Sequence, residues 1–204
     1  MPIHKEVLTQ GQLILLPLVK KFTTSFYLVG GTALALQYGH RRSIDFDLFT
    51  KKSFENQKIL RSIRKSNHIN KIHIDEKDQL TLIVDNMKMT FYCYEYPVKH
   101  IKKFNDIITM PDPLTIAAMK AFALGRRAKW KDYVDLFFIF KTYNFKQVVD
   151  EALTIFGSEF DEKLFREQLA YFKDLDYSEP VEYMPELAVD DSVIKQQLIK
   201  ISLT

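Results

Sequence analysis

Apolar positions in this chain change their period several times, and each change predicts an element. The stretch from His4 to Phe22, an apolar run broken by Pro17, predicts a leading helix over 4–22. Phe26, Tyr27, Leu28 and Val29 then form a continuous strand-like run that stops at Gly30-Gly31. Thr32 opens a second apolar segment, Ala33 to Leu36, made of good helix formers. Alternation sets in over Ile44 to Phe49, so a strand here puts Asp45 and Asp47 on one face and Ile44, Phe46 and Leu48 on the other. A helix follows over 53–65, capped by Ser53 or the preceding lysine-rich turn, then strands at 69–75, 80–84 and 87–94, with Asp85-Asn86 as a two-residue hairpin turn. Beyond this the pattern is helical. Asp112-Pro113 reads as an N-cap with proline at the first helical position, opening a helix to about Arg127. Further helices are predicted at 130–142, 145–156, 161–173 and 190–202, separated by Tyr143-Asn144, Gly157-Ser158 and a proline-bearing loop. The expected fold class is α+β, a mixed sheet with flanking helices followed by a helical C-terminal region. No internal repeat or low-complexity tract interrupts it.

Composition narrows the classes this chain can belong to. At 204 residues and 47% hydrophobic content it can bury a substantial core. No window of about 18 residues is uncharged and apolar, which argues against a transmembrane helix. Lys5 and Glu6 precede the first apolar run without a secretory cleavage pattern, and Cys93 is the single cysteine, so a cytoplasmic setting is expected. Phe91, Tyr92 and Tyr94 around Cys93 suggest a strand thiol rather than a nucleophile. The net charge of +3 is too balanced to argue nucleic-acid binding from bulk electrostatics. Local clusters say more: His40, Arg41 and Arg42 form one, and Lys120, Arg126, Arg127, Lys129 and Lys131 another, either of which suits phosphate or a solvated face.

The candidate chemistry lies where the first run stops. Gly30 and Gly31 let the backbone approach a phosphate closely, Thr32 adds a hydroxyl, and the amides and dipole of a helix N-terminus favour negative charge. Thirteen residues on, the paired carboxylates of Asp45 and Asp47 are suited to hard divalent cations. Gly-Gly-Thr alone is usually a turn, and Asp-x-Asp alone is often a solvated strand face. Together at this spacing they point to a metal-bridged nucleoside triphosphate.

Gly30-Gly31-Thr32, then His40-Arg41-Arg42-Ser43 leading into Asp45-Phe46-Asp47-Leu48-Phe49, resembles the first motif of the AbiEii/AbiGii-type nucleotidyltransferase toxins, a branch of the polymerase-beta-like superfamily. A second block, Met119 to Leu124, Arg126-Arg127 and Lys131-Asp132-Tyr133-Val134-Asp135, is similar to that family's helical motifs, in which a lysine faces the nucleotide. The resemblance implies a polymerase-beta-like core at 1–110 and a helical region at 111–204 that packs on it and completes the nucleotide site. It implies magnesium, or manganese, on Asp45 and Asp47, with Lys120 as the third catalytic residue. Gly30, Gly31, Thr32, Arg42, Ser43, Arg126, Arg127 and Asp132 would surround the nucleotide. One departure stands out. Such enzymes commonly take a third carboxylate from a neighbouring strand, and here Thr90 occupies its expected place, so either two aspartates suffice, Glu95 or Asp85 substitutes, or the chain binds nucleotide without transferring it.

The implied reaction is transfer of a nucleoside monophosphate from a nucleoside triphosphate to an acceptor that is RNA, tRNA among the candidates, or protein. A cognate antitoxin protein is the implied partner, and no membrane is involved. Two other readings remain open: a small-molecule nucleotidyltransferase of the antibiotic-modifying kind, and a catalytically silent nucleotide binder, motivated by Thr90. His40 could touch phosphate, and Trp130, Tyr92, Tyr94 and Tyr96 offer stacking surfaces for a base, although aromatics at strand spacing are usually core.

Overall fold

The computed structural model describes residues 3–124, 126–127 and 129–204. Helix α1 (Gln10–Lys20) starts later than the apolar pattern suggests, because Thr9 and Gln12 form a reciprocal capping box that fixes its first turn. A short 3-10 turn, Lys5–Val7, occupies the preceding residues. Strand β1 (Tyr27–Val29) runs into helix α2 (Gly30–Tyr38), which Gly39 ends in the left-handed conformation, its amide donating to the Ala35 carbonyl at 2.7 Å. Strand β2 (Phe46–Thr50), helix α3 (Asn56–Arg64) and strands β3 (Ile69–Glu76), β4 (Gln79–Val84) and β5 (Met87–Cys93) follow. The Asp85-Asn86 turn between β4 and β5 has both residues at positive φ, 47° and 66°, which matches the twist of a tight hairpin.

These strands form one sheet in the order β1-β2-β5-β4-β3. Only the β2–β5 pair is parallel; β1–β2, β5–β4 and β4–β3 are antiparallel. Phe46, Leu48, Met89 and Phe91 are fully buried on one face of β2 and β5, where Phe91 meets Phe22 and Phe26 edge to face. α3 adds Ile59, Leu60 and Ile63 to the core, one stripe of an otherwise polar helix.

Two differences from the sequence pattern have physical reasons. Ile44, expected on the core face, is 51% exposed, and β2 begins only at Phe46. The carbonyls of Ser43 and Asp45 accept from the Thr32 hydroxyl at 3.2 and 2.5 Å, so this segment is tied to α2 rather than laddered into the sheet. The pattern also misses a small hairpin, β6 (Lys102–Phe104) with β7 (Ile108–Met110), whose turn carries Asn105 at φ 50°.

Cα packing divides the chain into two units, Met1–Asp112 and Pro113–Thr204. The second is helical: α4 (Pro113–Leu124), α5 (Trp130–Ile139), α6 (Phe145–Phe156), α7 (Glu162–Ala170) and α8 (Asp191–Ser202). Position 125, inside the span predicted as helix to Arg127, lies outside the described residues. Asn144 and Gln147 cap α6 reciprocally, and Asp161 and Asp190 cap α7 and α8. Phe122 stacks on Phe156 at 3.9 Å and Phe145 on Phe165 at 5.4 Å, tying α4, α6 and α7 into one core.

Candidate active site

Gly30 sits where β1 becomes α2, at φ 70°, and a Cβ there would fall on the Asp47 Oδ2. That close approach requires glycine twice over, by backbone conformation and by space. It also sets the Asp47 carboxylate against the N-terminus of α2, whose N-cap residue Val29 makes no side-chain cap. A negative group is favoured at such an end. Gly31 is equally constrained, since a Cβ would lie 2.6 Å from Arg41 Nη2 and 2.8 Å from Ser43 Oγ. Arg41 is almost wholly buried and donates to the Arg42 carbonyl at 2.8 Å, so it packs the returning loop onto the turn.

Thr32 is 1% exposed, and its hydroxyl is spent on the Ser43 and Asp45 carbonyls. Gln12 adds a third tie, donating from Nε2 to Ser43 O at 2.8 Å. Thr32 therefore fixes the backbone that carries Asp45, a positioning role beyond the phosphate contact expected of it. Arg42 is half-buried, with Nη1 3.5 Å from the carbonyls of Glu6 and Leu8.

On β2 the Asp47 carboxylate stands on the side away from the core. Asp47 pairs in register with Thr90 on β5, and Phe49 with Tyr92. Asp45 precedes the strand, 29% exposed, with its Oδ2 3.4 Å from the ammonium of Lys88. Lys88 is the site residue that sequence reasoning missed. Its signal was alternation: it lies two before Thr90 on β5 and so shares the face of Asp47.

Neither alternative acid supplies a third carboxylate beside Asp47. Asp85 is committed to the β4–β5 turn, accepting from Asn67 Nδ2 at 2.7 Å and His68 N at 3.0 Å. Glu95 lies past the end of β5, where with Asp78 it adds to burial in raising the Cys93 thiol. That thiol is protonated at neutral pH, as a strand thiol rather than a nucleophile would be. Among the described residues no group of three or more His, Cys, Asp or Glu could hold a metal. Two carboxylates with a cation already against one of them still fit magnesium, which uses few protein oxygens and completes its shell with phosphate and water.

The other predicted residues belong to the second unit. Lys120 on α4 is 6% exposed, and its ammonium lies 2.5 Å from Asp132 Oδ1 and 2.7 Å from Asp135 Oδ2 on α5. Arg127 reaches the other Asp132 oxygen at 3.3 Å, while Arg126 lies over the Phe122 ring at 3.7 Å. The cluster balances two buried carboxylates with two cations, one buried and one exposed. Beside it, burial first and then Asp132 and Tyr177 raise the Tyr133 hydroxyl well above its ordinary range. Trp130 is 4% exposed and packs on Tyr133 and Tyr177, which makes it core.

The family model described as nucleotidyl transferase AbiEii toxin, type IV toxin-antitoxin system, matches residues 18–195. The chain belongs to the AbiEii nucleotidyltransferase toxin family. An uncharacterized protein of Aquifex aeolicus is 35% identical over 154 residues, 73% of this chain and 74% of that protein. Solved structures share the fold. A Helicobacter pylori protein described as a candidate nucleotidyltransferase superposes with a TM-score of 0.63 at 20% identity, over 95% of this chain and 92% of that one. MenT4, a nucleotidyltransferase toxin of Mycobacterium tuberculosis, gives 0.61 at 14% identity, over 94% and 81%. The expected fold class thus stands: this AbiEii chain is a nucleotidyltransferase with a mixed sheet, flanking helices and a helical C-terminal region. None of the helices among its described residues is long and apolar enough to cross a membrane.

Proposed function

We propose that this AbiEii-family chain transfers a nucleoside monophosphate from a nucleoside triphosphate to RNA, with Asp45 and Asp47 as the metal-holding pair. The observation that carries the reading is the Asp47 carboxylate set over Gly30 at the N-terminus of α2, on the sheet face shared by Asp45, Lys88 and Thr90. Magnesium, or manganese, held by Asp45 and Asp47 would supply charge neutralisation at the phosphates and lower the pKa of an acceptor hydroxyl. The amides of Gly30 and Gly31, at the N-terminus of α2, would donate to phosphate oxygens. Lys88, 3.4 Å from the Asp45 carboxylate, adds a positive charge toward the triphosphate. The acceptor oxygen bonds to the α-phosphorus as the α–β phosphoanhydride breaks, pyrophosphate leaves with the electron pair, and the hydroxyl proton passes to a carboxylate or to solvent.

In this reading Lys120, Asp132 and Asp135 position the second unit's helices, and Arg126 and Arg127 are its exposed cations for phosphate. A separately encoded antitoxin would restrain the enzyme, and the cytoplasm would supply its triphosphates. A silent binder is the second reading, favoured by Thr90 standing beside Asp47 where an acid is customary.

The test is transfer from each of four α-labelled nucleoside triphosphates, with magnesium, into total RNA and total protein, by wild type and Asp45→Asn. Label in RNA with wild type alone supports the reading. Label in protein alone removes the RNA acceptor, and triphosphate binding without label in either fraction favours the silent binder.

A further inference from the structure

The sheet face that carries the carboxylates does not end with them. Phe49 lies two residues beyond Asp47 on β2, and Tyr92 is its register partner on β5, 36% exposed. Tyr94 and Tyr96 extend the row, with ring centroids 5.2 Å apart for Phe49–Tyr94, 5.3 Å for Phe49–Tyr92 and 5.0 Å for Tyr94–Tyr96. Tyr96 then lines a cleft of about 750 Å³ at the end of the sheet opposite Gly30, where β2 finishes and β1 begins.

The cleft is basic. Lys21, Lys51, Lys52 and Lys58 line it against a single acid, Glu55, which Lys58 engages at 2.7 Å. Lys51 and Lys52 are exposed and meet no carboxylate among the described residues. Of the other nearby acids, Asp78 accepts from the Ser53 hydroxyl and Phe54 amide at 2.6 and 3.3 Å, and Glu95 stands exposed between Tyr94 and Tyr96. From Asp47 to Thr50, the last residue before these lysines, is about 10 Å of strand.

A row of rings that leads from paired carboxylates to unpaired lysines has the makings of a stacking platform joined to a backbone-binding groove. We infer that Phe49, Tyr92, Tyr94, Tyr96 and the Lys51-Lys52 cleft form a track for the single-stranded RNA acceptor, whose reacting end lies at Asp45 and Asp47. Rings offer a π-face to any base, so the track selects an unpaired strand more than a sequence, and a duplex cannot present its bases to it. The assignment rests on the acceptor being RNA, as proposed above.

Binding tests it apart from chemistry. A fluorescein-labelled RNA single strand about ten nucleotides long is titrated by anisotropy, without triphosphate or metal, at several salt concentrations. Lys51→Ala/Lys52→Ala should weaken binding about tenfold and flatten the salt slope by about 1.4, the share of two phosphates. Tyr92→Ala should weaken it about tenfold with the slope unchanged, since stacking releases no counterions. All three residues are exposed, and matching circular dichroism would exclude misfolding. Wild-type affinity in both variants, or equal affinity for a duplex of the same sequence, overturns the track. Label transfer to RNA with the RNA KM unchanged in both variants also overturns it while leaving the proposed reaction intact. Variant-sensitive RNA binding with no triphosphate ever consumed supports the track and removes the reaction.

Discussion

Thr32 shows how a motif residue can position a neighbouring segment through its backbone. Its buried hydroxyl holds the two carbonyls that flank Ile44 and so fixes where Asp45 emerges. Thr32→Val should leave those carbonyls short of a donor, lowering stability by about 1–3 kcal/mol and cutting kcat more than nucleotide affinity. Thr32→Ser restores the donor and should recover most of both, measured by thermal melts and single-turnover transfer. If Thr32→Val weakens triphosphate binding alone and leaves kcat intact, the hydroxyl is a phosphate ligand instead. The sequence made Gly30, Asp45 and Asp47 conspicuous because tight turns and acidic strand faces have few residue choices. It could not reveal the purpose of the Thr32 hydroxyl, which depends on a loop eleven to thirteen residues away, nor single out Lys88, whose meaning comes only from the β2–β5 pairing.

At the scale of elements, the helices of the second unit are joined by charge as well as by rings. Lys120→Met would leave Asp132 and Asp135 buried without their shared ammonium, and the expected cost is about 3–5 kcal/mol, readable as a lowered denaturant midpoint. A loss below 1 kcal/mol would mean that the cluster behaves as a surface pair. A second tie lies outside the core. Glu179 bridges Lys129 at 2.6 Å and Lys131 at 3.0 Å, and these hydrogen bonds hold its carboxyl down to about 2 from 4.5. A depressed carboxyl contributes stability above its unfolded pKa and loses it as pH falls toward the folded one. With the Glu179 side chain 40% exposed, the contribution is about 1 kcal/mol. Melts of wild type and Glu179→Gln should therefore differ at pH 6 and converge between 4.5 and 2; a gap that widens on acidification would contradict this. Most helices were legible because their caps and apolar stripes are local. The β6–β7 hairpin was not, because two three-residue strands are too short to show a period.

At the scale of the whole molecule, family and fold agree on a nucleotidyltransferase, and the proposed site lies toward one end of its sheet. Asp45 and Asp47 lie at the start of β2 beside the α2 N-terminus; Phe49 and, just past the strand, Lys51 and Lys52 lie at its other end. The measurement that bears most directly on this account is pyrophosphate released per label incorporated, comparing wild type with Asp47→Asn at matched melting temperature. The account predicts one pyrophosphate per nucleotide transferred by wild type, and loss of both in Asp47→Asn with folding intact, because a partly exposed carboxylate contributes chemistry more than packing. Full release and incorporation by Asp47→Asn would contradict it and send the search for the active site elsewhere in the chain.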